Sequence, residues 1–213
     1  MKTEAVRFLE SAGWNSAHYA RSAYMLREKA YRIREKYIAK FGFAILDGRT
    51  IETLRPYGPF IEVGAGSGYW SYELRLAGVD SLPTDPGKKL YSVFHEKAHY
   101  TDSAEGRWAI GRLGRWKPFM PIEDLDGVAA VKKYPERTLL VVWPDYQDPW
   151  AAETLAEFAG STVAYVGEGE GGCTGDDRFH YLLDQQFSIA ETCSIPNFFA
   201  IHDALTIYRR GKW

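Results

Sequence analysis

The chain has 213 residues and a formal net charge of −2, enough for one large domain or a domain with an appended subdomain. Hydrophobic residues make up 46% and charged residues 25%, so no acidic or basic excess points to nucleic acid or an anionic membrane as partner. Two cysteines, Cys173 and Cys193, with no C-x-x-C spacing argue against a disulfide-stapled scaffold and a structural zinc site.

In chain order, "MKTEAVRFLESAGW" is polar and periodic, without the apolar core of a secretory leader. No run approaches the roughly 18 apolar residues of a membrane span, so a cytoplasmic protein is expected. Residues 16–41 read as one long helix, with apolar or small residues at 19, 23, 26, 30, 33, 37 and 41 on one stripe. Its other face is basic, which reads either as a solvated surface or as a cationic lid. "LDGRT" breaks that helix, and "IETLRPYG" reads as a short second one. The predicted division is an N-terminal helical extension over 1–55 and a main domain over 56–213.

From residue 60 strands and helices alternate. "PFIEV" reads as a buried strand, "GYWSYELRLAG" as a helix, "VDSLPTD" as a second strand and "FMPIEDL" as a weak strand candidate. "GVAAVKKY" is a short helix, "TLLVVW" the clearest buried strand, "AAETLAEFA" a helix, "TVAYVG" a strand and "DDRFHYLLDQQF" a helix. "SIAETCSI" and "ALTIYRR", joined without a helix, predict a terminal antiparallel hairpin. The fold class is α/β: a mostly parallel sheet with an antiparallel C-terminal strand and helices on both faces.

"FIEVGAGSGYW" places Gly64, Gly66 and Gly68 at alternate positions between a strand and a helix. A dinucleotide fingerprint of the form G-x-G-x-x-G would need glycine at 69, where Tyr69 stands. Bare backbone there admits a ligand closely, and the helix start points free N–H groups at it. Glu62 would repel a pyrophosphate but suits the ammonium of an amino acid. Asp85, in "LPTDP", suits the two hydroxyls of a ribose. An adenosine joined to an amino acid without phosphate is S-adenosylmethionine (SAM).

"EVGAGSG" followed by "TDP" resembles the first motifs of the class I SAM-dependent methyltransferases. "FGFAI", "LLVVWPDY", "VGEGEGGCTGDD" and "IHDALTIYRR" extend the likeness to a bacterial and fungal methyltransferase-like group of unknown substrate. The resemblance implies a Rossmann-like sheet with SAM as cofactor. It also implies that Glu62, Gly64, Ala65, Gly66 and Gly68 surround the methionine part, with Asp85 and Pro86 at the ribose. Asp126 falls where the family places an acid or amide beside the adenine, with Asp124 the near alternative. Trp70 and Trp143 are the candidate flanking rings.

"VWPDY" resembles the Asp/Asn-Pro-Pro-Tyr motif of amino-directed methyltransferases, with Trp143 in place of the acid or amide and Asp145 in place of the second proline. A Trp cannot accept a hydrogen bond from an amine. Tyr146 and Asp145 remain as candidates facing the substrate. Glu168 and Glu170, in the glycine-rich loop, are expected to orient a cationic or hydroxyl substrate, while "TGDD" there also reads as a helix cap on Thr174 or Asp176. His202, beside Asp203, is a candidate general base. The expected activity is methyl transfer to oxygen or nitrogen of a small molecule, without a metal and with a homodimer as one option.

Three rivals stay open. A SAM-consuming cyclase or lyase would use the same fold and release methylthioadenosine. "HEKAH", residues 95–99, matches the zinc-protease pattern H-E-x-x-H, though no third ligand follows at the usual spacing. A nucleic-acid-binding module would use the basic helix, against the near-neutral overall charge.

Overall fold

The computed structural model describes residues 2–14, 24–86 and 117–211. "HEKAH" and residues 16–23 of the long predicted helix lie outside them. The elements are α1 (Glu4–Ser11), α2 (Tyr24–Phe41), α3 (Gly48–Leu54) with a 3-10 turn (Arg55–Tyr57), β1 (Phe60–Val63), α4 (Tyr69–Leu76) and β2 (Ser81–Thr84). They continue with α5 (Gly127–Lys133), β3 (Thr138–Val142), α6 (Trp150–Glu157), β4 (Thr162–Gly167), α7 (Asp177–Gln186), β5 (Phe187–Ser194) and β6 (Ala204–Arg210).

One six-stranded sheet runs in the order β2-β1-β3-β4-β6-β5. The first four strands are parallel, and β6 slots antiparallel between β4 and β5. From β1 the chain steps outward to β2, then returns to place β3 on the other side of β1. Strand order therefore reverses at β1, and a crevice opens beyond the carboxyl ends of β1 and β3. The glycine turn leaves β1 at that point.

The two-residue period of the strands divides the core. Phe60, Leu140, Ala164, Val166, Leu205 and Ile207 face α1 to α4 in one apolar cluster. Ile61, Val63, Leu139, Val141, Val163 and Tyr165 face α5, α6 and α7 in the other. The predicted stripe of the long helix is the buried face of α2: Ala30, Ile33, Tyr37 and Phe41 are all in the core. Both N-terminal helices share the cluster of the first sheet face, through Ala5, Leu9, Tyr37 and Phe41.

"FMPIEDL" does not form a strand. It contributes one parallel bridge, Glu123 to Thr84. Pro121 has no N–H to offer a ladder, and Leu125 N–H folds back on Glu123 O at 2.9 Å. Asp176 is the residue that caps α7, accepting from Phe179 N–H at 2.8 Å, which settles the choice left open with Thr174. Among the described residues no helix is long and apolar enough to cross a membrane, and no cluster of His, Cys, Asp and Glu could hold a metal ion.

Candidate active site

The crevice is built by two groups of residues. The first surrounds the glycine turn. Glu62 lies on the α4 side of β1 and is 2% exposed. Its Oε2 accepts from Ser71 N–H at 3.0 Å and from the Ser71 hydroxyl. Burial pushes its pKa up to about 7 against those hydrogen bonds, with the nearby Asp85 charge adding to the rise.

Gly64, Gly66 and Gly68 have φ of 63°, 54° and 69°, the left-handed region that glycine occupies without penalty. Packing adds a second demand. A Cβ on Gly64 would lie 2.8 Å from the Trp150 ring, and one on Gly68 would lie 3.2 Å from Ile122. Part of the space these glycines open is therefore taken by the protein itself.

Asp85, 7% exposed at the end of β2, reaches across the turn. Its Oδ2 accepts from Gly66 N–H at 3.0 Å, while Ala65 N–H donates to Thr84 O at 3.0 Å. The amide that a pyrophosphate would need is thus bonded to a carboxylate. A phosphate does not fit this turn; a cationic ammonium and neutral hydroxyls do. Pro86 follows Asp85, half-buried.

Asp145 also belongs to this side. Its Oδ2 accepts from the Trp150 indole N–H at 3.2 Å. The residue keeps an exposed surface, yet protein surrounds its carboxyl closely enough to push the pKa up to about 6, with Asp148 and Asp85 raising it further. Trp150 had no sequence signal beyond its place after Pro149 at the start of α6.

The second group stands at the ends of β3, β4 and β6. Trp143 adopts φ 52°, rare for a bulky residue. Its N–H bonds to Val166 O at 2.7 Å, and its ring stacks on Phe43 with centroids 4.5 Å apart and planes 7° apart. The indole Nε1–H is shared between both oxygens of Asp203, 2.9 Å from each. Sequence reasoning noted Asp203 only as a neighbour of His202.

Glu168 is a staple between two loops. Its Oε2 accepts from Cys173 N–H and its Oε1 from His202 N–H, each at 2.8 Å. Burial works to raise its pKa, but hydrogen bonds from the backbone amides and side chains of Cys173 and His202 together hold the carboxyl below its ordinary value. The His202 side chain is 84% exposed, with Nδ1 3.4 Å from Glu168 Oε1.

Other candidates sit elsewhere. Trp70 is buried in the core. Asp126 is exposed and caps α5, its Oδ1 accepting from Ala129 N–H at 2.7 Å. Tyr146 is exposed at the rim, where its hydroxyl accepts from Gln147 Nε2 at 3.1 Å.

No family model matches the chain, and no curated protein matches it in sequence. Solved structures similar to it include the magnesium protoporphyrin IX methyltransferase of Synechocystis PCC 6803 with bound SAM. It is 16% identical with a TM-score of 0.48, over 95% of this chain and 94% of that one. Human N-acetylserotonin methyltransferase in complex with SAM is 15% identical with a TM-score of 0.45, over 98% of this chain and 65% of that one. The N-methyltransferase NodS of Bradyrhizobium japonicum WM9, in complex with S-adenosyl-L-homocysteine (SAH), is 13% identical with a TM-score of 0.40, over 96% and 99%.

Proposed function

We propose that the chain is a SAM-dependent methyltransferase acting on oxygen or nitrogen of a small-molecule acceptor. The observation that carries this reading is the bond from Gly66 N–H to Asp85, which turns a phosphate cradle into a phosphate-free one. The residues of the turn suit each part of the cofactor. Glu62 accepts from Ser71 through Oε2 alone, and Oε1 would be the oxygen to meet the ammonium. Asp85, anchored through Oδ2, presents its carboxylate to the ribose hydroxyls. Asp124 takes the adenine amine in place of Asp126, because among the described residues it makes no hydrogen bond, whereas Asp126 Oδ1 is spent on a helix cap.

When bound, the cofactor supplies a methyl group already activated by positive sulfur. The task left to the protein is to hold an acceptor in line and exclude water. The N-terminal segment is suited to covering the crevice. Ser67, inside the glycine turn, donates its hydroxyl to Phe41 O at the end of α2 at 3.1 Å. Glu73 and the Tyr69 hydroxyl, both on α4, accept from Glu4 N–H and Ala5 N–H in the first turn of α1 at 2.8 and 2.9 Å.

Titration calorimetry with SAM, SAH and NAD tests the reading. SAM and SAH are expected to bind and NAD to give no heat. Gly66→Arg is expected to lose both ligands while keeping its circular dichroism. Binding of NAD alone would overturn the assignment. Chromatography of the spent cofactor is expected to show SAH; methylthioadenosine instead would replace methyl transfer by a lyase reaction.

A further inference from the structure

Asp203 has a carboxylate for which the cofactor reading provides no task. It is 4% exposed, and among the described residues only the Trp143 indole donates a hydrogen bond to it. A carboxylate offers about four lone-pair sites, and one N–H divided between two oxygens leaves acceptor capacity over. Burying an acid so sparsely donated to is costly. Burial pushes its pKa up to about 6, Glu168 adding to the rise and Trp143, Arg34 and His202 opposing it.

A second cost sits on the same contact. Trp143 holds its left-handed backbone exactly where the indole can reach Asp203, and Phe43 clamps the ring from the other partner. Asn197 Nδ2 pins the Asp203 carbonyl at 2.9 Å, so the backbone below the carboxylate is fixed as well. Strain of this kind persists only where the surroundings over-determine it. Here the fixed object is the orientation of one buried carboxylate at the carboxyl end of the sheet.

Trp143, the residue that directly follows β3, offers no acceptor of its own, because an indole has only a donor, and Asp145 beyond it accepts from Trp150 on the glycine-turn side. Asp203, entering from the loop before β6, supplies one beside the same ring.

We propose that Asp203 receives the hydrogen of the methyl acceptor, with Trp143 as the positioning residue that aims its carboxylate. The acceptor is then an amine or a hydroxyl compound lying against the Trp143–Phe43 rings. This rests on the cofactor reading above. In the transfer, a lone pair of the acceptor nitrogen or oxygen forms the new bond to carbon as the sulfur–carbon bond breaks. That bonding pair stays on sulfur and leaves a neutral thioether. The acceptor's proton passes to Asp203 and from there to water.

The test compares two ligands by calorimetry: SAH, and sinefungin, the cofactor analogue with an amino group where the sulfonium methyl would be. In the unaltered protein sinefungin is expected to bind about tenfold more tightly than SAH, the effect of one charge-assisted hydrogen bond. Asp203→Asn, which keeps an oxygen for the Trp143 N–H, should bring that ratio to within about twofold of unity. Trp143→Phe should reduce it partway, because the carboxylate loses its aim. Thermal melting reports whether each variant folds; should Asp203→Asn not melt cooperatively, the ratio in Trp143→Phe decides. An absent preference in the unaltered protein, or one that survives both substitutions, overturns the proposal. Failure of both ligands to bind the unaltered protein overturns the cofactor reading, and this inference with it.

Discussion

The two ends of the crevice are held together by different means. At β1 and β2 the work is done by backbone: glycines with positive φ, an amide bonded to Asp85, a serine N–H bonded to Glu62. At β3, β4 and β6 it is done by side chains from distant stretches, such as Trp143 and Asp203, which are 60 residues apart. The first end is a rigid nest of one shape. The second is assembled from separate side chains, so a single substitution there can change it without disturbing the first.

The sharpest way to break that contrast is at Asp85. Asp85→Ala removes the partner of Gly66 N–H and, on the proposed reading, the acceptor for the ribose hydroxyls together. SAM affinity is expected to fall about a hundredfold, the loss of two hydrogen bonds to a charged group. Calorimetry checks it. A variant that binds SAM within threefold of the original would show that the nest does not hold the cofactor.

Glu62 comes next, through pH. Its folded pKa of about 7 lies above its unfolded value of 4.5. The native state therefore binds the extra proton between those values. The favourable contribution is complete below the unfolded pKa and is lost as pH rises through about 7. Glu62→Gln should accordingly raise stability by about 3 kcal/mol at pH 8, with the gain shrinking toward pH 5. SAM affinity should move the opposite way. A cation bound by ionised Glu62 is held about tenfold more tightly at pH 8 than at pH 6, and the glutamine variant loses that dependence. Denaturant melts and titrations at the two pH values measure both.

Glu168 tests the other end. Its two oxygens each hold a backbone amide, so Glu168→Ala leaves Cys173 N–H and His202 N–H without their partner. With water able to reach part of this loop, the expected loss is about 1–2 kcal/mol in chemical denaturation. SAM affinity should stay within about threefold, because among the described residues the nest at β1 and β2 shares no hydrogen bond with this staple.

How far the sequence reads through to these features follows the same division. The glycine turn is contiguous, and its meaning lies in local conformation, so the three glycines, Glu62 and Asp85 were legible from spacing and charge. The strands β1, β3 and β4 were legible as apolar runs, and the α2 stripe as a period. Trp143, Asp203 and Phe43 come together only because the sheet order places β6 next to β4. Nothing local to "WPDY" or "IHDA" signals a stacked ring whose one N–H is shared between both oxygens of a carboxylate. Trp150 filling the space beside Gly64 is hidden for the same reason. Asp126 carries a second local signal: in "DLDGVAA" its place before a helix is that of a cap, and its Oδ1 does accept from Ala129 N–H.

The smallest expected effect belongs to His202. Its side chain is 84% exposed, and its link to Glu168 is made mainly by the backbone amide, which a substitution does not remove. A contact at 3.4 Å from a solvent-exposed ring that carries charge only when protonated contributes little, typically well under 1 kcal/mol. His202→Ala should therefore shift the melting temperature by no more than about 2 °C. It should leave SAM affinity within about twofold, since the nest lies at the other end of the crevice. A larger drop in melting temperature would mean that the ring, and not the amide, holds the terminal loop against β4. The independence of the two ends would then fail at the position where it is expected to be most complete.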